Sequence, residues 1–159
     1  MELYFDIDLC TGCGACELAC AESHHGERRI NLELFEGRFP LAGMCRHCEQ
    51  SPCVQVCPKK AIRLENSTVL VSENLCIGCR SCSIVCPFGN LEFETLRHVS
   101  TKCDHCISRL RAGEKPVCAL VCPTGALRYC ELEEMEALAA RAKRKREMVG
   151  ARVFAWRPK

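Results

Sequence analysis

Sixteen of the 17 cysteines in this chain fall into four blocks. Block one is Cys10, Cys13, Cys16 and Cys20. Block two is Cys45, Cys48, Cys53 and Cys57. Block three is Cys76, Cys79, Cys82 and Cys86. Block four is Cys103, Cys106, Cys118 and Cys122. A density of thiols this high can form disulfides, bind zinc or hold iron–sulfur clusters. Blocks one and three share the spacing C-x2-C-x2-C-x3-C. Blocks two and four keep the first and last pairs and lengthen only the middle gap, to EQSP and to ISRLRAGEKPV. A repeat of this kind constrains the fold before any local pattern does.

The spacing separates the three chemistries. Cysteines at i, i+3 and i+6 on a tight loop reach three corners of one cubane. The fourth, beyond a turn, points away and serves a different cluster, so the blocks work in pairs. A tetrahedral zinc takes four ligands, commonly as two separated C-x2-C pairs, so the third cysteine of blocks one and three is surplus for zinc. A disulfide framework fits poorly with an odd cysteine count and with a start, MELYFDIDLC, that has neither a basic nor an apolar run. The reading is therefore four [4Fe–4S] clusters on sixteen cysteines. Cys130, the unmatched one, reads as a small hydrophobe at a strand end.

Neighbouring residues fit that chemistry. Gly12 and Gly78 each precede the second cysteine of their block, where the backbone must approach a cluster closely. Pro58, Pro87 and Pro123 each follow a fourth cysteine and fix φ there, whereas block one has Ala21. The histidines invite a ligand reading, but complete cysteine sets make them unnecessary. His47 and His105 are expected to point away from the clusters, to solvent or a partner. His24, His25 and His98 are read as loop residues.

The elements that must position these loops are short. The hydrophobic fraction of 48% includes cysteine and falls to about 37% without it, thin for a packed core of 159 residues. Segments 3–8, 61–65, 69–72, 90–94 and 126–130 read as short strands. Residues 131–149 read as a helix with Leu132, Met135, Leu138, Ala139 and Ala142 near one face and a solvated KRKR end. Beyond Gly150, Val153, Phe154 and Trp156 read as a segment that either folds back onto the cluster domain or docks a partner, with docking the expected role.

The same blocks resemble the four-cluster, ferredoxin-type electron-transfer subunits of multisubunit oxidoreductases. These are the small iron–sulfur subunits of formate dehydrogenase, formate hydrogenlyase, dimethyl sulfoxide reductase-type enzymes, carbon monoxide dehydrogenase-linked hydrogenases and tungsten aldehyde oxidoreductases. The resemblance covers residues 3 to 130. It implies an α+β fold of two bacterial-ferredoxin-like two-cluster units, one inserted in the other, plus a C-terminal helix and tail. Residues 1–36 with 98–130 form the outer unit, 37–97 the inserted unit, and 131–159 the helix and docking tail. The resemblance also implies the ligand sets. Cys10, Cys13, Cys16 and Cys122 hold one cluster, and Cys103, Cys106, Cys118 and Cys20 its mate. Cys45, Cys48, Cys53 and Cys86 hold the third, and Cys76, Cys79, Cys82 and Cys57 the fourth. The short sequence is closest in build to the compact members of the family.

The expected function is electron relay between a catalytic metalloenzyme subunit and a downstream acceptor subunit or carrier, with stacking of further copies of the chain also open. The resemblance puts a molybdenum or tungsten pterin oxidoreductase of formate or aldehyde first as partner, and a nickel hydrogenase or carbon monoxide dehydrogenase second. A free polyferredoxin or maturation protein is the alternative class. Independent catalysis is not expected, because no nucleophile–base pair, phosphate loop or dinucleotide fingerprint occurs. The formal charge of +2 gives no nucleic-acid-like excess of base, and four clusters with sixteen thiolates would bring it to about −6. With no apolar run long enough to span a bilayer, no membrane insertion is expected and the address is read as cytoplasmic.

Overall fold

The computed structural model describes residues 1–37, 39–94 and 99–148. His98, Gly150 and the segment carrying Val153, Phe154 and Trp156 lie outside them.

The described residues contain eight strands in four antiparallel pairs. Strand β1 (Glu2–Phe5) pairs with β8 (Leu127–Cys130), so the two ends of the cysteine region meet, with Leu3 opposite Tyr129 and Phe5 opposite Leu127. In the middle of the sequence, β4 (Ile62–Glu65) pairs with β5 (Thr68–Val71). Their two-residue turn, Asn66–Ser67, has φ of 46° and 61°. Positive φ at both positions is what a type I′ hairpin needs, because its twist matches that of the strands. Two further hairpins are β2 (Asn31–Phe35) with β3 (Phe39–Gly43), and β6 (Glu92–Glu94) with β7 (Val99–Thr101). The β2–β3 hairpin runs across the 36/37 boundary expected between the units.

Each x3 gap between a third and fourth cysteine is one turn of helix. Helix α1 (Ala15–Ser23) carries Cys16 and Cys20. Helices α2 (Pro52–Val56), α3 (Ser81–Val85) and α5 (Val117–Val121) carry Cys53, Cys82 and Cys118, and each ends at its block's fourth cysteine. A step from i to i+4 keeps two side chains on one face and about 6 Å apart along the axis. Each short helix therefore presents two thiols at different levels. Helix α1 packs on α5, and α2 packs on α3. Helix α4 (Ile107–Arg111) fills the long middle gap of block four.

Two small cores result. One joins Leu3, Ile30, Ala42, Met44 and Leu127 with Cys16, Cys20, Cys103 and Cys118. The other joins Ile62, Val69 and Leu91 with Cys82, and Cys53, Cys57 and Cys86 pack against it. Helix α6 (Leu132–Met148) follows β8. Met135, Leu138 and Ala142 are partly covered, whereas Leu132 and Ala139 are exposed, so its apolar face is narrower than the pattern suggests. Cys130 is 3% exposed at the end of β8, opposite Glu2.

Candidate iron–sulfur centres

The loop between the first two cysteines of every block has the same bend. Gly12 and Gly78, just before the second cysteine, have φ of 70° and 67°; His47 and His105 hold the equivalent places in blocks two and four with φ of 46° and 56°. This left-handed region suits glycine, and histidine is among the few other residues enriched there. A second shared turn follows three of the fourth cysteines. Lys60, Gly89 and Gly125 donate their N–H to the carbonyl oxygens of Cys57, Cys86 and Cys122, at 3.2, 3.3 and 3.2 Å. The turn reverses the backbone so that later N–H groups face sulfur. Ala61 donates to Cys57 Sγ at 3.2 Å and Leu127 to Cys122 Sγ at 3.4 Å. In block one, which lacks the proline, Arg29 donates to Cys20 Sγ at 3.4 Å.

Folding brings cysteines of different blocks together. Cys10, Cys13 and Cys16 line one cavity together with Cys122. Cys76, Cys79 and Cys82 line another together with Cys57. Burial and then the neighbouring sulfurs of Cys103, Cys106, Cys20 and Cys16 raise the pKa of Cys118. Cys53 lies beside Cys45, and both Cys53 and Cys86 pack against the second core. Cys48 is carried by the same loop as Cys45. All 17 cysteines are free.

The donor sets fit iron–sulfur clusters. Each cavity offers thiols from two blocks, with backbone N–H groups already aimed at sulfur. Burial pushes the Cys16 thiol up to about 11 and the Cys103 thiol up to about 12. Without metal these sulfurs are neutral at pH 7, so ligation must release their protons. Cys122 differs. Burial raises its pKa, but the Leu127 N–H and the Thr124 hydroxyl outweigh that and bring it below the ordinary thiol value.

The histidines depart from expectation. His47 and His105 do not reach solvent; each is 7% exposed, and their rings lie 3.7 Å apart, centroid to centroid. His47 Nδ1 accepts the Val69 N–H at 2.9 Å, while its Nε2 is buried with no partner among the described residues. Burial lowers the His47 pKa to about 2 and that of His105 to about 4, and the Lys102 ammonium pushes both further down. His24, at the C-terminus of α1, lies 3.7 Å from Cys106 Sγ and 3.7 Å from Asp104 Oδ1. Asp104 in turn accepts the Cys106 N–H and binds Arg29. Sequence reasoning missed this group. It also missed Lys102, which is 5% exposed and donates from Nζ to the Cys103 carbonyl oxygen.

Comparison with known proteins follows the same lines. Residues 38–132 match a family model described as a 4Fe-4S dicluster domain, and residues 9–62 match a second model of that description. The B subunit of the anaerobic dimethyl sulfoxide reductase of Haemophilus influenzae is 33% identical over 152 residues, covering 83% of this chain and 74% of that one. The corresponding B subunit of Escherichia coli is 32% identical over 151 residues, with the same coverage. A protein of Rhodospirillum rubrum named "Iron-sulfur protein" is 34% identical over 172 residues, covering 92% of this chain and 90% of its own. No helix among the described residues is long and apolar enough to cross a membrane. With its cysteine sets and these relatives, the protein binds [4Fe–4S] clusters and belongs to the 4Fe-4S dicluster family of iron–sulfur electron-transfer subunits.

Proposed function

We propose that this protein is a four-cluster electron relay built as two nested two-cluster units, serving a molybdenum or tungsten pterin oxidoreductase. One observation carries the reading: three cysteines of one block share a cavity with the fourth cysteine of another, in Cys10, Cys13, Cys16 with Cys122 and in Cys76, Cys79, Cys82 with Cys57. That is the donor pattern of a two-cluster ferredoxin, in which each block serves both clusters. The meeting of β1 with β8, and of α1 with α5, supports an outer unit made of the first and fourth blocks. The packing of α2 on α3 supports an inner unit of blocks two and three.

When bound, the clusters each take up and release one electron. The residues do the rest. Sixteen cysteines hold the clusters, the left-handed loops bring the backbone close, and N–H groups such as those of Ala61 and Leu127 lend the sulfurs partial positive charge. Leu3, Ile30, Met44 and Leu127 keep water from the sulfurs they touch. The relay needs no substrate pocket for this.

The partner assignment rests on likeness to proteins named as B subunits of dimethyl sulfoxide reductase. Formate and aldehydes are the substrate classes the wider resemblance implies. A free carrier is the second reading, favoured by the relative whose name ties it to no catalytic subunit. Metal analysis of the complex purified anaerobically from its native host through this protein decides between them. Iron with molybdenum or tungsten supports the proposal. Iron with nickel points to a hydrogenase or carbon monoxide dehydrogenase partner, and iron alone to the free carrier.

A further inference from the structure

Lys102 is a buried ammonium in the wrong place for a structural lysine. It is 5% exposed, yet no described carboxylate comes within ion-pair distance. Its one described hydrogen bond is to the Cys103 carbonyl oxygen. The nearby acid Asp104 is held by Arg29 at 3.0 Å. A buried ammonium is stabilised by negative charge placed near it, which the thiolates of bound clusters would supply.

The position of Lys102 says where that charge comes from. Lys102 precedes Cys103, the first ligand of block four. The stacked rings of His47 and His105 join the Cys45–Cys48 loop to the Cys103–Cys106 loop, and Cys45 packs against the core that contains Cys103 and Cys118. Lys102 thus stands where the two units meet, between two cysteine sets. Lys102 lines one cavity with Leu70 and Val71 of β5 on one side and with Asp104 and Ile107 of block four on the other.

We propose that Lys102 is a positioning cation shared by the two clusters at the unit junction, on Cys45, Cys48, Cys53 and Cys86 and on Cys20, Cys103, Cys106 and Cys118, and that it raises the reduction potential of both. This rests on the four-cluster reading above. An oxidised cluster with four thiolates carries −2 and a reduced one −3, so a fixed positive charge favours the reduced form. One electron arrives from the catalytic partner and one leaves to the acceptor; no bond or proton moves. Because one charge acts on both clusters, it raises them together. The step from one of these two clusters to the other is left unchanged by the shared charge, while both move relative to the outer two.

The test is an anaerobic redox titration of the loaded full-length protein, followed by EPR, for wild type, Lys102→Met and Lys102→Arg. In Lys102→Met, two of the four potentials are expected to fall by about 59 mV or more, a tenfold change for one electron. The other two should stay, and Lys102→Arg should keep all four near wild type. If Lys102→Met does not load, Lys102→Gln and Lys102→Arg are compared on the same readout. Unmoved potentials, four that move together, or an arginine variant that falls as far as the neutral one would each overturn the inference while leaving the cluster reading intact. A wild type without four cluster signals would overturn both.

Discussion

The imidazoles of His47 and His105 face each other at 3.7 Å, their planes tilted by 41°, in the heart of the molecule. Each stands at the position that glycine takes in blocks one and three, in the same left-handed conformation. The two roles can be separated. Replacing either histidine with glycine keeps the loop and removes the ring, with an expected loss of about 1–3 kcal/mol for the vacated contact. Replacing it with valine adds the strain of a β-branched residue at positive φ, a further ~1–3 kcal/mol. Thermal unfolding of the loaded protein under argon should rank wild type above His47→Gly and His47→Gly above His47→Val.

The shared cavity of Cys122 with block one leads to a second prediction. Cys122→Ser should perturb the cluster on Cys10, Cys13 and Cys16, read as the change or loss of one EPR signal and of up to about four irons. A change confined to the cluster on Cys103, Cys106 and Cys118 would refute the exchange of ligands between blocks.

Thr124 offers a finer probe of the same cluster. Its hydroxyl lies 3.8 Å from Cys122 Sγ. A donor to a ligand sulfur favours the more negative, reduced state, so Thr124→Val should lower one potential. The change should amount to about 0.5–1.5 kcal/mol or less, given the long contact, and leave the other three potentials unmoved.

Cluster removal should abolish the fold. The two cores hold few large apolar side chains, with Ile30, Met44 and Val69 the main fully buried ones, and cysteines make up the balance. Such a protein depends on its cofactors as zinc fingers depend on zinc. Oxidation and chelation of the iron should remove the cooperative thermal transition seen by far-UV circular dichroism. A cluster-free form that melted as the loaded one does would contradict this.

Much of the site was legible in the sequence because cluster ligands obey tight spacing rules. The grouping of block cysteines around shared cavities and the left-handed turns at Gly12 and Gly78 follow from that, and the short strands beside the blocks follow from their apolar segments. The β2–β3 hairpin was not legible. Leu34 and Phe35 are exposed, and β3 begins with Phe39–Pro40, so no clean alternation marks it. His47 and His105 misled because polar residues between ligands suggest solvent. Aligning the four blocks carries the missing signal, since both histidines fall on the glycine position of blocks one and three. Lys102 and the His24–Asp104 pair had no local signature at all. Their roles come from contacts between segments far apart in sequence, such as Arg29 with Asp104.

Iron and acid-labile sulfide per polypeptide, measured on material purified anaerobically, test most directly whether this protein holds four clusters. About sixteen of each are expected, with all sixteen block cysteines protected from alkylation. About eight of each, or zinc without sulfide, would contradict it.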